Sequence, residues 1–600
     1  MVKLSDYVAQ FIADQQVRHV FMLPGGFAMH LNDSLGQHPD IEVVSNLHEQ
    51  GCAICAEAYA RVTNNLGVAC VTAGPGGTNA ITGVAAAWLD STPSLYLSGQ
   101  VKRADIMGDL GVRQLGVQEV DIVAIATPIT KYAVTVTEPE SIRYHLEQAV
   151  YLARSGRPGP VWLDIPLDVQ ASSIAPDSLR GFTPPFTDTS AEAARLHQQV
   201  SEAIELLGKA ERPVVIAGNG IRLAGAAGDF LKLIERLNVP VLPTWLGLDL
   251  VADSHPLFAG RPGSIAPRGA NFALQNCDWL LAIGSRLDMA LTGYAHDRFA
   301  RAARKIIVDI DSAEIRKLQM KVDVPVSADA GDFIREMLRQ AEGTTLGSNT
   351  AWVARCQEWK AKYPVVLPEH RANTDHVSTF ALTEVLSDEL AADDLIVPGS
   401  SGNAVEAFFL AFKVKAGQRV FHERGLGAMG FALPASIGAC IASGRRRTVS
   451  IDGDGGFQMN IQELEVCARL NLPIKCFVIN NGGYASIRAS QRNYFGRLTG
   501  ADASSGLTLP DVTGIAAAYK VKTMRIIDQS DLTGQVRRVL DTPGPVVCEV
   551  LGIPDEARVP RLSSAQRADG SMVSKPLEDL FPFLDRDEFL SNMIIPPLDE

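Results

Sequence analysis

No run of about eighteen apolar residues occurs in the chain, so no membrane-spanning helix is expected. Basic residues are not in excess. Lys and Arg number 55 against 68 Asp and Glu, and the formal net charge is −13. That balance, with a pI near 5.4, argues against nonspecific nucleic-acid binding and suits a soluble enzyme. Cysteines are few, odd in number at nine, and scattered. A disulfide framework is therefore not expected, and a reducing compartment is. Cys52 and Cys55 form a C-x-x-C within HEQGCAICAEAYAR. The segment is Ala-rich with no second Cys pair nearby, so both are read as small helix-packing residues. The opening MVKLSDYVAQFIADQQ has no basic stretch followed by an apolar core. It is not a signal peptide by that pattern, and a cytoplasmic location is expected. Low-complexity segments and short-period repeats are also missing.

What is present is the pattern of a large α/β protein. Six hundred residues exceed one core, so about three domains are expected. Strand-like runs recur, each followed by a Gly-rich turn or a helix: VFML, VACVT, LYLSG, VVIAG, LLAIG, IIVDI and LIVPG. Such repetition predicts doubly wound parallel sheets covered on both faces. A polar, Pro-rich seam lies near 172–192 and a second near 342–375. They divide the chain into 1–172, 190–345 and 372–560, followed by a tail at 561–600. The tail contains SKPLEDLFPFLDRDEFL, too apolar to be free, and is expected to pack as an active-site flap.

Two polar clusters follow strand-like runs in the last third. TVSI leads into Asp452–Gly456, and KCFVI leads into Asn480–Gly483. Between them Phe457, Ile461, Leu464 and Ala468 recur at helical spacing. The unit is strand–helix–strand, with its polar residues at the strand ends where parallel sheets bind ligands. Asp454 and Asn481 offer hard oxygens suited to Mg²⁺, which completes its octahedron with phosphate oxygens and water. Gly453, Gly455 and Gly456 let a phosphate approach backbone N–H groups. Together the two clusters describe a magnesium–diphosphate clamp. In the first third, Glu49 starts a helix after a strand, and TAGPGGTNAITG is a Gly-rich strand-to-helix turn. In the middle third, GNGIRLAG has Gly spacing loosely like a dinucleotide turn.

These segments, with SGRPGPVWLDIP and RGLGAMGFALPASIGA, resemble the thiamine diphosphate (ThDP) enzymes of the acetolactate synthase and pyruvate oxidase family. The resemblance covers residues 1–560. It implies three α/β domains in the order pyrimidine-binding, central and diphosphate-binding. It also implies a homodimer or homotetramer with the cofactor between subunits. By the same resemblance Asp454, Asn481 and the Gly483 carbonyl ligate Mg²⁺. Glu49 hydrogen-bonds the aminopyrimidine, Met429 bends the cofactor and the Gly427 carbonyl accepts from its amino group. Gly76 belongs to the glycine turn on the pyrimidine side. Ser400, Ser401 and Asn403 help to hold the diphosphate. Gln118 lies near the reacting carbon, and His30 faces the acceptor as a proton donor. TWLGLD, GRPGSIAPRGAN, GSRLD and DIDSAE resemble FAD-contacting segments, so FAD is expected in the central domain.

The implied reaction decarboxylates pyruvate and transfers a two-carbon unit to a carbonyl acceptor. Two positions depart from the acetolactate synthases. Ser490 stands where they carry a Trp, and Ala290 where they carry an Arg that pairs with the second keto acid. Loss of that pairing predicts an acceptor other than a 2-keto acid, such as a nucleotide-linked 4-keto-deoxysugar. FMLPGGFAMHLNDSLG, RQLGVQEVDIVAIATPITKYAV and SIRASQRNYFG are similar to the branched-chain sugar carboligases of this family. Arg488 and Arg492 are candidates to meet an anionic acceptor. The alternatives are acetolactate synthase, a carbon–carbon lyase or diketone hydrolase, and a noncatalytic paralogue. Intact Glu49, Asp454 and Asn481 speak against the last.

Overall fold

The computed structural model describes residues 1–186, 190–342, 349–372, 375–400, 402–566 and 572–598, the side chains of 403, 565, 566 and 572 excepted. Three parallel sheets organise it. The first is built from Glu42–Ser45, His19–Met22, Gly67–Val71, Ser94–Gln100, Pro160–Pro166 and Tyr132–Thr135, in that spatial order. The second runs Val241–Pro243, Pro213–Ala217, Trp279–Ile283, Arg304–Asp309 and Val324–Ser327. The third runs Arg419–Val420, Leu395–Pro398, Thr448–Gly453, Ile474–Asn480, Val546–Leu551 and Lys522–Ile526. The first and third sheets therefore share one order: second strand, first, third, fourth, sixth, fifth. The central sheet shares its opening half. In each sheet the chain reverses direction across the sheet between the first and third strands, and a crevice opens at that point.

The inner strands are buried along their whole length because helices cover both faces. All six residues of Thr448–Gly453 are buried. The helix Glu49–Thr63 lies between the first sheet and the helix Ala432–Ala442 of the last third. Its small residues let backbones approach closely. A Cβ on Gly438 would stand 2.2 Å from the Cys55 carbonyl oxygen, and one on Gly83 would stand 2.5 Å from the Ala53 Cβ. Cys52 and Cys55 are fully buried here, burial pushes both thiols well up, and Cys55 donates to the Pro434 carbonyl. All nine cysteines are buried and unpaired, in accord with a packing role. One apolar core, including Phe21, Tyr59, Leu433, Ile437 and Leu464, runs through the first and last sheets' layers together. The central sheet has cores of its own.

One expectation needs correction. The helical face of Phe457, Ile461, Leu464 and Ala468 is not one helix. A turn at Asp454–Phe457 leads into a 3₁₀ segment Gln458–Glu463, then Leu464–Arg469, with Asn460 at φ −138° and ψ 34°. The Asn460 amide is buried and donates to the Gly430 carbonyl at 2.8 Å, a bond that anchors the break. The four apolar residues still reach the shared core. The second seam lies partly within the described residues. It holds the helix Thr350–Lys362, whose Trp352, Cys356 and Trp359 are buried with the helix Arg268–Gln275. The tail is packed, with Leu577, Leu580 and Phe589 buried. Arg268 donates to the Leu580 carbonyl, Asn271 to that of Leu577 and Asn276 to that of Asn592, so this stretch docks on the central layer.

Candidate active site

The register of the third sheet sets the first cluster. Gly453 pairs with Ile479, so the chain leaves adjacent strands at Asp454 and at Asn481. Asp454 is buried, and burial raises its carboxyl above the usual range. Its Oδ1 accepts from Gly455 N at 2.8 Å and its Oδ2 from Gly483 N at 2.9 Å. The carboxylate thereby ties the two turns together. Gly482 and Gly483 take φ of 77° and 126°, which only glycine adopts without strain. A Cβ on Gly455 would stand 2.3 Å from the Tyr484 ring and 3.5 Å from the Met429 Cε. Gly456 is buried in the same turn. Beside them, Gly399 N donates to the Ile451 carbonyl, and Ser400 follows. Ser401 lies outside the described residues. Asn403 sits in the helix Gly402–Ala411, its side chain outside the description.

Two buried oxygens here have no hydrogen-bond partner among the described residues, Asn481 Oδ1 and Ser400 Oγ. Buried polar atoms of folded proteins are normally satisfied, so orphans at a sheet's switch point fit ligand atoms. The set is one carboxylate, one amide oxygen and nearby backbone. Among the described residues no group of three or more His, Cys, Asp or Glu could hold a metal. A carboxylate and an amide oxygen are hard donors of the kind Mg²⁺ takes alongside phosphate and water.

The loop 422–430 brings Gly427 and Met429 to this cluster. It is held by Glu423, whose two oxygens accept from Gly427 N at 2.7 Å and Ala428 N at 2.8 Å. Burial, with Glu57 and Asp90 nearby, pushes the Glu423 carboxyl up to about 7. Gly427 has φ 73°.

A second cluster forms at the crevice of the first sheet. Met22 pairs with Cys70, so the segments after both strands run side by side. A Cβ on Gly25 would stand 2.4 Å from the Thr72 Cβ, and one on Gly76 would stand 2.9 Å from the Thr72 Cγ2 and 3.8 Å from Glu49 Oε1. Glu49 is buried, and its Oε2 accepts from Asn79 Nδ2 at 3.0 Å. Gln118 is exposed with φ 65°, and its carbonyl oxygen lies 2.6 Å from where a Gly74 Cβ would be. His30 is half-buried in the helix Met29–Gln37, just beyond Gly25. The structure thus gathers Glu49, Gly76 and Gln118 around one pair of turns. No hydrogen bond joins them to the Asp454 cluster among the described residues.

Several residues that matter here have no sequence signal. Glu463 belongs to the last third yet accepts from Asn46 Nδ2 at 2.8 Å and from Leu47 N and His48 N at 3.1 Å each. It fixes the turn that starts the Glu49 helix from 417 residues away. Arg61 bonds Glu57 and Asp90 at the interface of the first and last layers. Arg488 corrects an expectation. It is buried, not a free cation for an acceptor, and donates to the carbonyls of Asn481 at 2.9 Å, Gly482 at 3.0 Å and Pro554 at 2.5 Å. Arg492 is paired with Asp555 at 2.7 Å. Ser490 is exposed on the helix Ala485–Phe495.

The four segments of the central domain expected at a flavin converge on two adjoining clefts. The larger encloses about 1040 Å³, including space open to solvent, and is walled by Asn219, Gly220, Gly284, Arg286 and Asp309 among others. Gly218 and Gly284 cross closely there, since a Cβ on Gly218 would meet the Gly284 oxygen at 2.1 Å. Asp309 ends its strand, and burial pushes its carboxyl up to about 6. The smaller cleft, about 310 Å³, is lined by Pro262 to Ile265 and by Ala290. Glycine turns and a terminal carboxylate at a sheet's switch point fit a nucleotide.

Comparison with known proteins gives matching results along the chain. The sequence models for the thiamine pyrophosphate enzyme N-terminal, central and C-terminal domains match residues 2–125, 200–337 and 400–550. The acetolactate synthase large subunit of Cyanidium caldarium is 32% identical over 574 residues, covering 92% of this chain and 93% of the relative. That of Corynebacterium glutamicum is 33% identical over 580 residues, covering 95% and 89%. That of Parasynechococcus marenigrum is 34% identical over 550 residues, covering 88% and 84%. No helix among the described residues is long and apolar enough to cross a membrane.

Proposed function

The chain belongs to the thiamine pyrophosphate enzymes and forms carbon–carbon bonds, and on that premise we propose that it decarboxylates pyruvate and joins the two-carbon unit to a second carbonyl, giving acetolactate when that carbonyl is another pyruvate. The observation that carries this reading is the similarity to acetolactate synthase large subunits along nearly the whole chain. When bound, ThDP supplies the carbanion chemistry that neither substrate can perform alone.

The protein's part is to hold, orient and protonate. Asp454, Asn481 and the Gly483 carbonyl hold Mg²⁺, and the orphaned Asn481 Oδ1 supports this assignment. Ser400, Ser401, Asn403, Gly453, Gly455 and Gly456 hold the diphosphate. Gly427 and Met429 shape the space for the ring system, on a loop that Glu423 keeps in place. Glu49, buried and oriented by Asn79, holds a proton at the aminopyrimidine. Gly76 leaves room beside it. Gln118 and His30 stand on the acceptor side. FAD is assigned to the larger central cleft, with the glycine turns and Asp309 as its contacts.

An oligomer completes the site in this reading. Leu110, Leu115 and Val117 next to Gln118 are 65%, 51% and 78% exposed, and Tyr494 and Phe495 are 66% and 70% exposed. Apolar surface flanking both half-sites supports burial against another subunit.

A second reading keeps the same donor but takes a ketone that is not a 2-keto acid. It is favoured by Ala290 and Ser490, which provide neither a cation nor bulk. Incubation with ThDP, Mg²⁺ and pyruvate decides between them by mass spectrometry of the products. Acetolactate as the product supports the first reading. A two-carbon adduct of an added 4-keto-deoxysugar nucleotide, with little acetolactate, supports the second. No release of CO₂ from pyruvate refutes both.

A further inference from the structure

Most cations around the central clefts are already committed. Arg154 donates to Gln15 and Asn65, Arg157 pairs with Asp311 and Glu314, and Arg286 approaches Asp90 at 3.9 Å. Arg424 differs. Its guanidinium makes no hydrogen bond and no ion pair among the described residues, yet it lines both clefts.

It is nonetheless held in place. Its carbon stands 4.5 Å from the centroid of the Trp245 ring, and Trp245 is stacked on Phe409 at 4.7 Å. The backbone N–H groups of Arg424 and Gly425 donate to Asp90 at 3.0 Å each. A guanidinium lying on an indole keeps its five donors along its edge, free for a planar anion. The carboxylates nearby are spent elsewhere. Asp288 Oδ1 accepts from Ala290 N at 2.9 Å and Leu291 N at 3.1 Å, and Asp309 accepts from Asp311 N at 2.9 Å. Ala290, on the wall of the smaller cleft, brings no charge of its own.

We propose that Arg424, mounted on Trp245 where the two clefts meet, is an anion subsite for a phosphate of a nucleotide cofactor or for the carboxylate of an acceptor. The acceptor arm rests on the carboligase reading above, and the nucleotide arm on the assignment of a flavin to the larger cleft. A carboxylate bound here would allow a keto acid as acceptor although residue 290 is alanine.

The test uses the full-length chain and two variants. R424M keeps an apolar stem on Trp245 and removes the charge; R424K keeps the charge and loses the planar fork. In the first arm, FAD and riboflavin are titrated into apoprotein by flavin fluorescence. A phosphate source raises the Kd of FAD about tenfold or more in R424M and leaves riboflavin unchanged, the loss expected for one charge-assisted bond. In the second arm, 2-ketobutyrate and propanal compete as acceptors at fixed pyruvate, and the products are counted by mass spectrometry. A carboxylate source lowers the ketobutyrate-to-propanal product ratio about tenfold or more in R424M, with R424K in between. Near-identical far-ultraviolet circular dichroism certifies the folds, and if R424M fails it, R424K is scored for the same two shifts. If neither arm moves, the subsite is overturned. If the wild type releases no CO₂ from pyruvate, the functional reading fails and the flavin arm alone decides. A wild type that also binds neither FAD nor ADP overturns the proposal.

Discussion

Gly51→Ala tests how the last third of the chain sets up Glu49. An alanine Cβ would stand 2.4 Å from Glu463 Oε1 and 2.7 Å from its Cδ. The obstructing atoms end a side chain, so relief comes by the carboxylate swinging away, not by backbone movement. Doing so breaks the bonds from Asn46 Nδ2, Leu47 N and His48 N, all on a buried acceptor. Bonds to a charged group contribute about 1.5–3 kcal/mol each, and buried donors left bare add to the loss. Partial re-pairing, and the gain of about 1 kcal/mol for Ala over Gly in a helix, reduce the net cost to about 3 kcal/mol. Urea unfolding followed by fluorescence on the wild type, G51A, E463A and the double variant gives a thermodynamic cycle. G51A in the E463A background should stabilise by about 1 kcal/mol, the helix gain alone, leaving a coupling of about 4 kcal/mol. Equal costs of G51A in both backgrounds would refute the reasoning, since the carboxylate would then not be what the methyl displaces. G51A should also lower kcat, because the Glu49 helix starts from the turn that Glu463 holds.

Other variants probe separate parts. E49Q should keep its affinity for ThDP but lose about 10²–10⁴ in kcat, measured by CO₂ release, since only proton handling is removed. R488M should raise the Mg²⁺ concentration needed for half-maximal ThDP binding about tenfold, because the carbonyls of Asn481 and Gly482 lose their donor. A change in the apoprotein melting point with no change in Mg²⁺ dependence would make Arg488 purely structural. Glu423 carries a pH signature. Its carboxyl is raised from 4.5 to about 7 in the fold, so the folded state binds the extra proton, and stability falls as pH rises through that window. At 1.36 kcal/mol per unit the upper bound is about 3 kcal/mol, and E423Q should flatten that decline between pH 5 and pH 8 in urea titrations.

The sequence alone determined the class of fold and the place of the polar turns at the strand ends. Apolar runs ending in Gly-Asp-Gly and Asn-Asn-Gly-Gly are local signals, because a buried parallel strand and the turn after it are encoded within about ten residues. Asp454 and Asn481 were legible for that reason, and so was the small-residue packing of Cys52 and Cys55. The continuous helix after Asp454 was misread, because its periodicity survives a break that is anchored by Asn460 on Gly430. Arg488 was misread as a free charge, because burial and partners such as the Pro554 carbonyl, 66 residues on, leave no mark near it in sequence. Only the tertiary structure decided the shared core of the first and last layers, the strut from Glu463 to the Glu49 turn, and the placement of Arg424 over Trp245. Each depends on groups that are neighbours in space but distant in the chain, and a local pattern cannot encode a partner it does not contain.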